Sequence, residues 1–266
     1  MTSLTGAHMV ITGGSSGIGL ETARLAVERG ARVSLIARDA ARLFTAAADV
    51  GATATASADV ADAPALRQAL DTVVAQVGPC DVLMTSAGSA HPGYFEQLDD
   101  GVFRQQMEVD YFGTLHAVRA VVPSMIERGR GHLVTVSSTT GLIGVFGYSA
   151  YAPAKFAVRG LAETLRAELA PHRIVVACVY PPDTRTPGFD AESELKPPET
   201  ERISAAIKPR EAVDVARAIV KGIEKDRLVI TADVQTAALA RGAGLLAPYV
   251  RWSTDRQVGK VRRERS

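Results

Sequence analysis

Two runs in the chain, Val82-Leu83-Met84 and Ile174-Val175-Val176-Ala177, are apolar at every position rather than at every second one. A strand with one wet face alternates apolar and polar side chains. An unbroken run therefore marks a strand covered on both faces, as in a parallel sheet with helices above and below. The two runs belong to a series of candidate strands: His8–Thr12, Arg32–Ala37, Thr53–Ala58, Val82–Ser86, His132–Ser137, Ile174–Tyr180 and Leu228–Thr231. Amphipathic stretches of helical period fall between them, at Gly19–Arg29, Ala63–Gln76, Phe103–Glu127, Lys155–Ala170 and Arg210–Lys225. Alternation of this kind from end to end predicts an α/β fold with a doubly wound parallel sheet and helices on both faces. No repeat, low-complexity block or linker divides the chain, so residues 1–266 are expected to form one domain. The longest irregular segment, from Pro181 to about residue 205, follows a strand at the carboxyl edge of the sheet, where a loop of this length serves as a lid or binding loop.

A formal net charge of +1 gives no support for a nucleic-acid partner. Cys80 and Cys178 lie far apart and are expected as buried, reduced thiols. His8, His91, His116, His132 and His172 share no metal-ligand spacing, so no metal site is expected; His91 alone follows a strand on the ligand-binding edge. The first residues lack a basic start followed by an apolar stretch of signal-peptide length, and no run of about 20 apolar residues is present to cross a membrane. A cytoplasmic protein, or one peripheral to a membrane, is the expectation. Residues 237–266 read as a C-terminal helix and basic tail: Leu239, Leu245, Leu246, Tyr249, Val250 and Trp252 precede Lys260, Arg262, Arg263 and Arg265. That order suits either a docked helix with a solvated end or a contact with a membrane surface or a second copy.

Thr12-Gly-Gly-Ser-Ser-Gly-Ile-Gly19 joins the first strand to a helix expected to start at Ile18. Glycine is costly inside regular structure, so Gly13, Gly17 and Gly19 need a reason. A tight turn is one. The other is a dinucleotide pyrophosphate approaching the backbone N–H groups of Gly13, Ser15, Ser16, Gly17, Ile18 and Gly19 and the positive end of the helix. The second strand ends Ile36-Ala37-Arg38 with no acid to hold ribose hydroxyls, and the guanidinium suits a 2′-phosphate, which favours NADP(H); Asp39 beside it keeps NAD(H) possible. Asp59 and Val60 end the third strand, where a side chain can reach the adenine, although Asp59 can instead cap the helix beginning near Asp62.

Ser138 closes the fifth strand, and Tyr151-Ala-Pro-Ala-Lys155 opens a helix that places Tyr151 and Lys155 on one face. An ammonium beside a phenol favours the phenolate, and an oxidised nicotinamide ring nearby would add to it. Bringing a phenol from about 10 to near 7 takes roughly 4 kcal/mol of such stabilisation. The tuned phenol exchanges a proton with a carbonyl or alcohol oxygen as hydride moves, and the Ser138 hydroxyl steadies that oxygen.

Together Thr12–Gly19, Ser86-Ala87-Gly88, Ser138, Tyr151 and Lys155 resemble the short-chain dehydrogenase/reductase family. The resemblance covers almost the whole chain. It implies a Rossmann-like seven-stranded sheet, a homodimer or homotetramer, and NAD(P)-dependent carbonyl–alcohol interconversion. Tyr151 would then be the acid/base and Lys155 would bind the nicotinamide ribose; Ser86, Ala87, Gly88, Pro181 and Thr184 would also line the cofactor. Within the family, Phe146–Tyr151, Lys155–Glu163, Tyr180–Phe189 and Lys196–Thr200 resemble the 3-ketodihydrosphingosine reductases, which implies NADPH-dependent reduction of a lipophilic 3-keto substrate at a membrane surface. Two residues depart from the family pattern. Ser86 stands where asparagine is usual, and Asp110 replaces an asparagine that helps hold a water near the lysine, so that Asp110 can pair with Lys155 and retune Tyr151. An NAD-dependent alcohol, steroid or 3-oxoacyl dehydrogenase and a dinucleotide-sensing protein without catalysis are the competing expectations.

Overall fold

The computed structural model describes residues 1–205 and 207–265. Ala206, Ser266 and the side chains of Leu246 and Arg265 lie outside that description, the last three within the C-terminal stretch singled out above. The strands are β1 (His8–Thr12), β2 (Arg32–Ala37), β3 (Ala54–Ser57), β4 (Val82–Thr85), β5 (Gly131–Val136), β6 (Ile174–Val179), β7 (Thr184–Arg185), β8 (Arg210–Glu211) and β9 (Val229–Ile230). Seven of them form one sheet in the order β3-β2-β1-β4-β5-β6-β9, every neighbouring pair parallel, and β7 and β8 pair separately. The order reverses between β1 and β4, which opens a crevice at the carboxyl ends of those two strands.

The helices are α1 (Gly17–Glu28), α2 (Ala40–Val50), α3 (Ala63–Val77), α4 (Asp100–Gln106), α5 (Gly113–Arg128), α6 (Tyr151–Leu169), α7 (Pro187–Ser193), α8 (Pro198–Ser204), α9 (Ala212–Glu224) and α10 (Val234–Arg265). The unbroken apolar runs are explained by the two layers they feed. Leu83, Leu133 and Val176 pack with Leu66 and Leu70 of α3, Val118 of α5 and Ala162 of α6. Their neighbours Val82, Met84, Val134 and Ala177 point the other way, onto Ala23 of α1, Leu43 of α2 and Ile219 of α9. Burying one such side chain contributes roughly 1.5–3 kcal/mol, so both layers hold the sheet.

A few polar groups are buried with partners. The His8 ring lies between the Gly78 carbonyl and the Ser34 hydroxyl, each at 2.7 Å. Since a carbonyl only accepts, Nδ1 carries the proton and Nε2 accepts from Ser34. Both cysteines are free and buried.

Three expectations about elements change. The single helix expected over Phe103–Glu127 is α4, a wider π-helical stretch at Met107–Phe112, and α5. The segment after Pro181, expected to be irregular, contains β7, α7 and α8, because Thr186 and Pro187 start one helix and Pro197-Pro198 the next. The C-terminal stretch is helical to Arg265, with a kink at Gly242, so its basic end is a helix rather than a loose tail.

Candidate active site

At the end of β1, Gly13 and Gly17 adopt φ of 72° and 56°, a conformation in which other residues are strained. Space excludes a side chain as well. A Cβ on Gly13 would lie 2.5 Å from the Ala87 nitrogen, and one on Gly19 2.5 Å from the Gly13 carbonyl. The Ser86 backbone N–H donates to the Thr12 carbonyl at 3.0 Å, so the turn after β1 packs directly on Ser86-Ala87 after β4. Ser15, Ser16 and Ile18 are half-buried along this turn. The helix begins at Gly17, one residue before the expected start, and Ser16 makes no side-chain cap bond to it. A helix start without a cap leaves first-turn N–H groups for an anion. The cradle thus meets the steric and electrostatic needs of a pyrophosphate.

Arg38 is three-quarters exposed, with its guanidinium 3.5 Å from Asp59. Asp39, the carboxylate expected to offset it in part, accepts from the Arg42 N–H and caps α2. Asp62 caps α3 through the Ala65 N–H, so Asp59 is not the cap; it accepts from the Ala61 N–H and faces Arg38. Val60 is buried against Gly113, where a Cβ would meet it at 2.6 Å.

Lys155 and Asp110 meet in the interior behind this crevice. The Lys155 ammonium donates to the Val136 carbonyl at 3.1 Å and lies 3.0 Å from Asp110 Oδ1, both side chains being buried. Neither Asp110 oxygen meets a partner at ideal hydrogen-bond geometry among the described residues, yet Lys155 and the Ser89 backbone N–H both stand close enough to favour its ionised form. Gly88 makes room for the pair, since a Cβ there would fall 2.5 Å from Asp110 Oδ1. Asp110 reaches the site from the π-helical stretch, a widened turn of a kind common at functional positions. Burial pushes its carboxyl up against the pull of Lys155. Burial acts to lower Lys155, but Asp110 and Tyr151 outweigh it and the ammonium is held charged.

The Lys155 ammonium is 5.5 Å from the centre of the Tyr151 ring, and the Ser138 hydroxyl reaches the phenol and favours its ionised form. Even so, Tyr151 is pushed up to about 12: burial dominates, Lys155 opposes it, and the carboxylates of Asp110 and Glu192 add to it. In the protein alone burial, with the two carboxylates adding to it, outweighs the single ammonium; the expected tuning towards neutrality also counts on an oxidised nicotinamide beside the ring. The phenol is protonated here, which is the form needed to give a proton.

Pro181 is buried, with its carbonyl accepting from the Thr139 N–H at 3.1 Å. The Thr184 hydroxyl is committed to the Pro182 carbonyl at 2.6 Å. Thr186 is the threonine that reaches the glycine turn: a Cβ on Gly17 would meet its methyl at 2.9 Å, and its hydroxyl caps α7 through the Phe189 N–H. A threonine directly before the proline that opens a helix is a readable cap signal that the sequence analysis passed over. Glu192 was passed over as well; it accepts from Tyr148, whose ring lies beside Tyr151, and pairs with Lys196, two residues named only within the stretches that carry the resemblance. The His91 N–H donates to Gln106 Oε1, and no group of three or more His, Cys, Asp or Glu is placed for a metal among the described residues.

A family model described as short chain dehydrogenase matches residues 7–196. The chain belongs to that family. It is accordingly an oxidoreductase acting on a CH–OH or C=O group. It is 42% identical to a 3-ketodihydrosphingosine reductase of Dictyostelium discoideum over 92% of this chain and 80% of that one. A 3-dehydrosphinganine reductase of Danio rerio is 42% identical over 82% of this chain and 68% of its own. Among solved structures, an actinorhodin polyketide ketoreductase with NADPH superposes with a TM-score of 0.78 at 28% identity, covering 87% of this chain and 97% of the other.

Proposed function

We propose that the protein reduces 3-ketodihydrosphingosine, or a long-chain 3-keto relative, to the secondary alcohol with NADPH. The observation that carries this reading is the convergence of Tyr151, Ser138 and Lys155 on one side of an open glycine cradle, in a chain 42% identical to named reductases of that ketone. The bound dinucleotide supplies the hydride. Tyr151 donates its proton to the ketone oxygen, Ser138 hydrogen-bonds the same oxygen, and Lys155 bridges Val136 and Asp110 so that its charge stays beside the phenol. Gly13, Ser15, Ser16, Gly17, Ile18 and Gly19 hold the pyrophosphate; Arg38 takes the 2′-phosphate, free of Asp39; Asp59 and Val60 face the adenine. Ser86, Ala87, Gly88 and Pro181 border the nicotinamide, with Thr186 beside Thr184 as the residue from the loop. Ile143, Val145 and Phe146, shortly before Tyr148 in the chain, and Phe189 of α7 are half-buried and offer the apolar surface a lipid chain needs.

We further read residues 1–266 as one catalytic unit, with 181–205 covering the substrate, working as a dimer or tetramer on the cytoplasmic side of a membrane. No helix among the described residues is long and apolar enough to cross one. The test is a panel of 3-ketodihydrosphingosine, steroid, acyl and small ketones run with NADPH and with NADH. Turnover should be greatest with the long-chain ketone and NADPH. Tyr151→Phe should lower kcat by about a thousandfold or more while leaving NADPH affinity within a few-fold. No turnover of any ketone despite tight cofactor binding would overturn the reading.

A further inference from the structure

Beside Tyr151 lies a set of side chains that hydride transfer does not require. The Tyr148 ring is 6.0 Å from that of Tyr151, and its hydroxyl donates to Glu192 Oε1 on α7. The same carboxylate takes the Lys196 ammonium at 3.2 Å, and that ammonium sits 4.1 Å from the centre of the Phe189 ring. A carboxylate backed by an aromatic face is the surrounding an alkylammonium seeks, and one already occupies it.

The charges here do not balance. Lys196 and Glu192 are 3% and 15% exposed, and Asp183 stands close enough to feel both. Asp183 Oδ2 is buried without a hydrogen-bond partner among the described residues. Burial pushes Asp183 up; Lys196 opposes it, Glu192 adds to it, and the Ser204 hydroxyl, which serves the carboxylate but leaves Oδ2 unmatched, opposes it. Two carboxylates thus share one ammonium. Glu201 and Lys208 stand exposed on the cleft of about 560 Å³ that Asp183 and Lys196 line, one charge of each sign, and leave the imbalance unchanged. A buried carboxylate short of a partner is costly and is relieved either by a proton or by a further cation.

We infer that Glu192, with Asp183 behind it and Tyr148 orienting it, is the binding site for the substrate's own ammonium, carried on the carbon next to the ketone. This rests on the functional reading above. In the substrate proposed there, the nitrogen is one carbon from the carbonyl, so its receptor has to lie beside the phenol that protonates the oxygen. Glu192 does: it holds the hydroxyl of Tyr148, whose ring is 6.0 Å from that of Tyr151. An amine beside a carbonyl is a weak base, and the two carboxylates keep it charged. Selectivity for an amino ketone over a plain ketone follows from a polar group left unmatched when the nitrogen is missing.

The experiment compares kcat/KM for 3-ketodihydrosphingosine with that for the same long-chain hydroxyketone lacking the amine. The wild-type protein should favour the amine by about 10- to 100-fold. In Glu192→Gln, which retains an acceptor for Tyr148, that ratio should collapse towards one, and Glu192→Asp should restore part of it. NADPH affinity and near-ultraviolet circular dichroism, both unchanged in Glu192→Gln, would separate this result from a folding defect. Equal ratios in the wild-type protein and Glu192→Gln overturn the inference and leave the ketoreductase intact. Failure of the wild-type protein to reduce either compound overturns the functional reading and the inference with it.

Discussion

Asp110 is one of the two residues, with Ser86, at which the chain is expected from its sequence to depart from the family pattern, and its effect has a definite sign. Its buried carboxylate opposes ionisation of Tyr151 and supports the charge of Lys155. Replacing it by Asn removes a negative charge from beside the phenol, so the phenol's pKa falls. In the alcohol-oxidising direction, where the phenolate is the base, Asp110→Asn should therefore shift the rising limb of log kcat against pH downward by roughly half a unit or more. An unmoved limb would mean that Asp110 is already protonated beside Lys155. Much of this centre was legible from residue spacing: Tyr151 and Lys155 are one helical turn apart, and Ser138 follows β5 by two residues, where it caps the next short turn. The net direction of the tyrosine's shift was not. It depends on burial and on Glu192, distant in sequence and brought near only by the fold.

Among elements, the seven main strands were legible to within two residues at each end, because consecutive apolar side chains bounded by turn residues mark a covered strand. The short helices α7 and α8 were not, since their proline-rich composition also marks irregular chain and only the caps distinguish the two. Nor was α2, which had no place among the predicted helices although Asp39 caps it. For α10, the sequence left two readings open. Leu245, Tyr249 and Trp252, spaced four and three apart, are 89%, 67% and 56% exposed, and Val261 nearer the end is buried. The helix is thus docked through its final turns while presenting an aromatic and aliphatic stripe, with the basic residues Arg251, Arg256 and Lys260 beside it. Such a face suits an anionic membrane surface. Leu245→Glu combined with Trp252→Glu should lower co-sedimentation with phosphatidylserine-containing vesicles several-fold at low salt and leave ketone reduction in detergent unaltered. Equal binding of both proteins would remove this helix as the contact.

For the molecule as a whole, acid should be destabilising well before the surface carboxylates titrate. His132 is fully buried in β5, its Nδ1 3.0 Å from the Thr2 hydroxyl, and its Nε2 is without a hydrogen-bond partner among the described residues. Burial lowers its pKa to about 4, against 6.5 for the model imidazole. The folded chain therefore binds fewer protons than the unfolded chain between those values. Stability is complete above pH 6.5 and falls as pH drops towards 4, by about 2 kcal/mol at pH 5 from this residue alone. His8, also lowered by burial, acts in the same sense. His132→Val should flatten urea-derived stability between pH 7.5 and 5 by about that amount, whatever its effect at neutral pH. An undiminished slope would assign the acid limb to other groups.

The division of each strand between two layers has an outcome for how such a protein changes over time. The helix that starts at the glycine cradle is anchored in one layer, and the helix that bears Tyr151 in the other. They face the same crevice yet share no interior. Substitutions that repack beneath one can drift without disturbing the footing of its counterpart, so dinucleotide preference and proton chemistry are free to evolve on separate foundations.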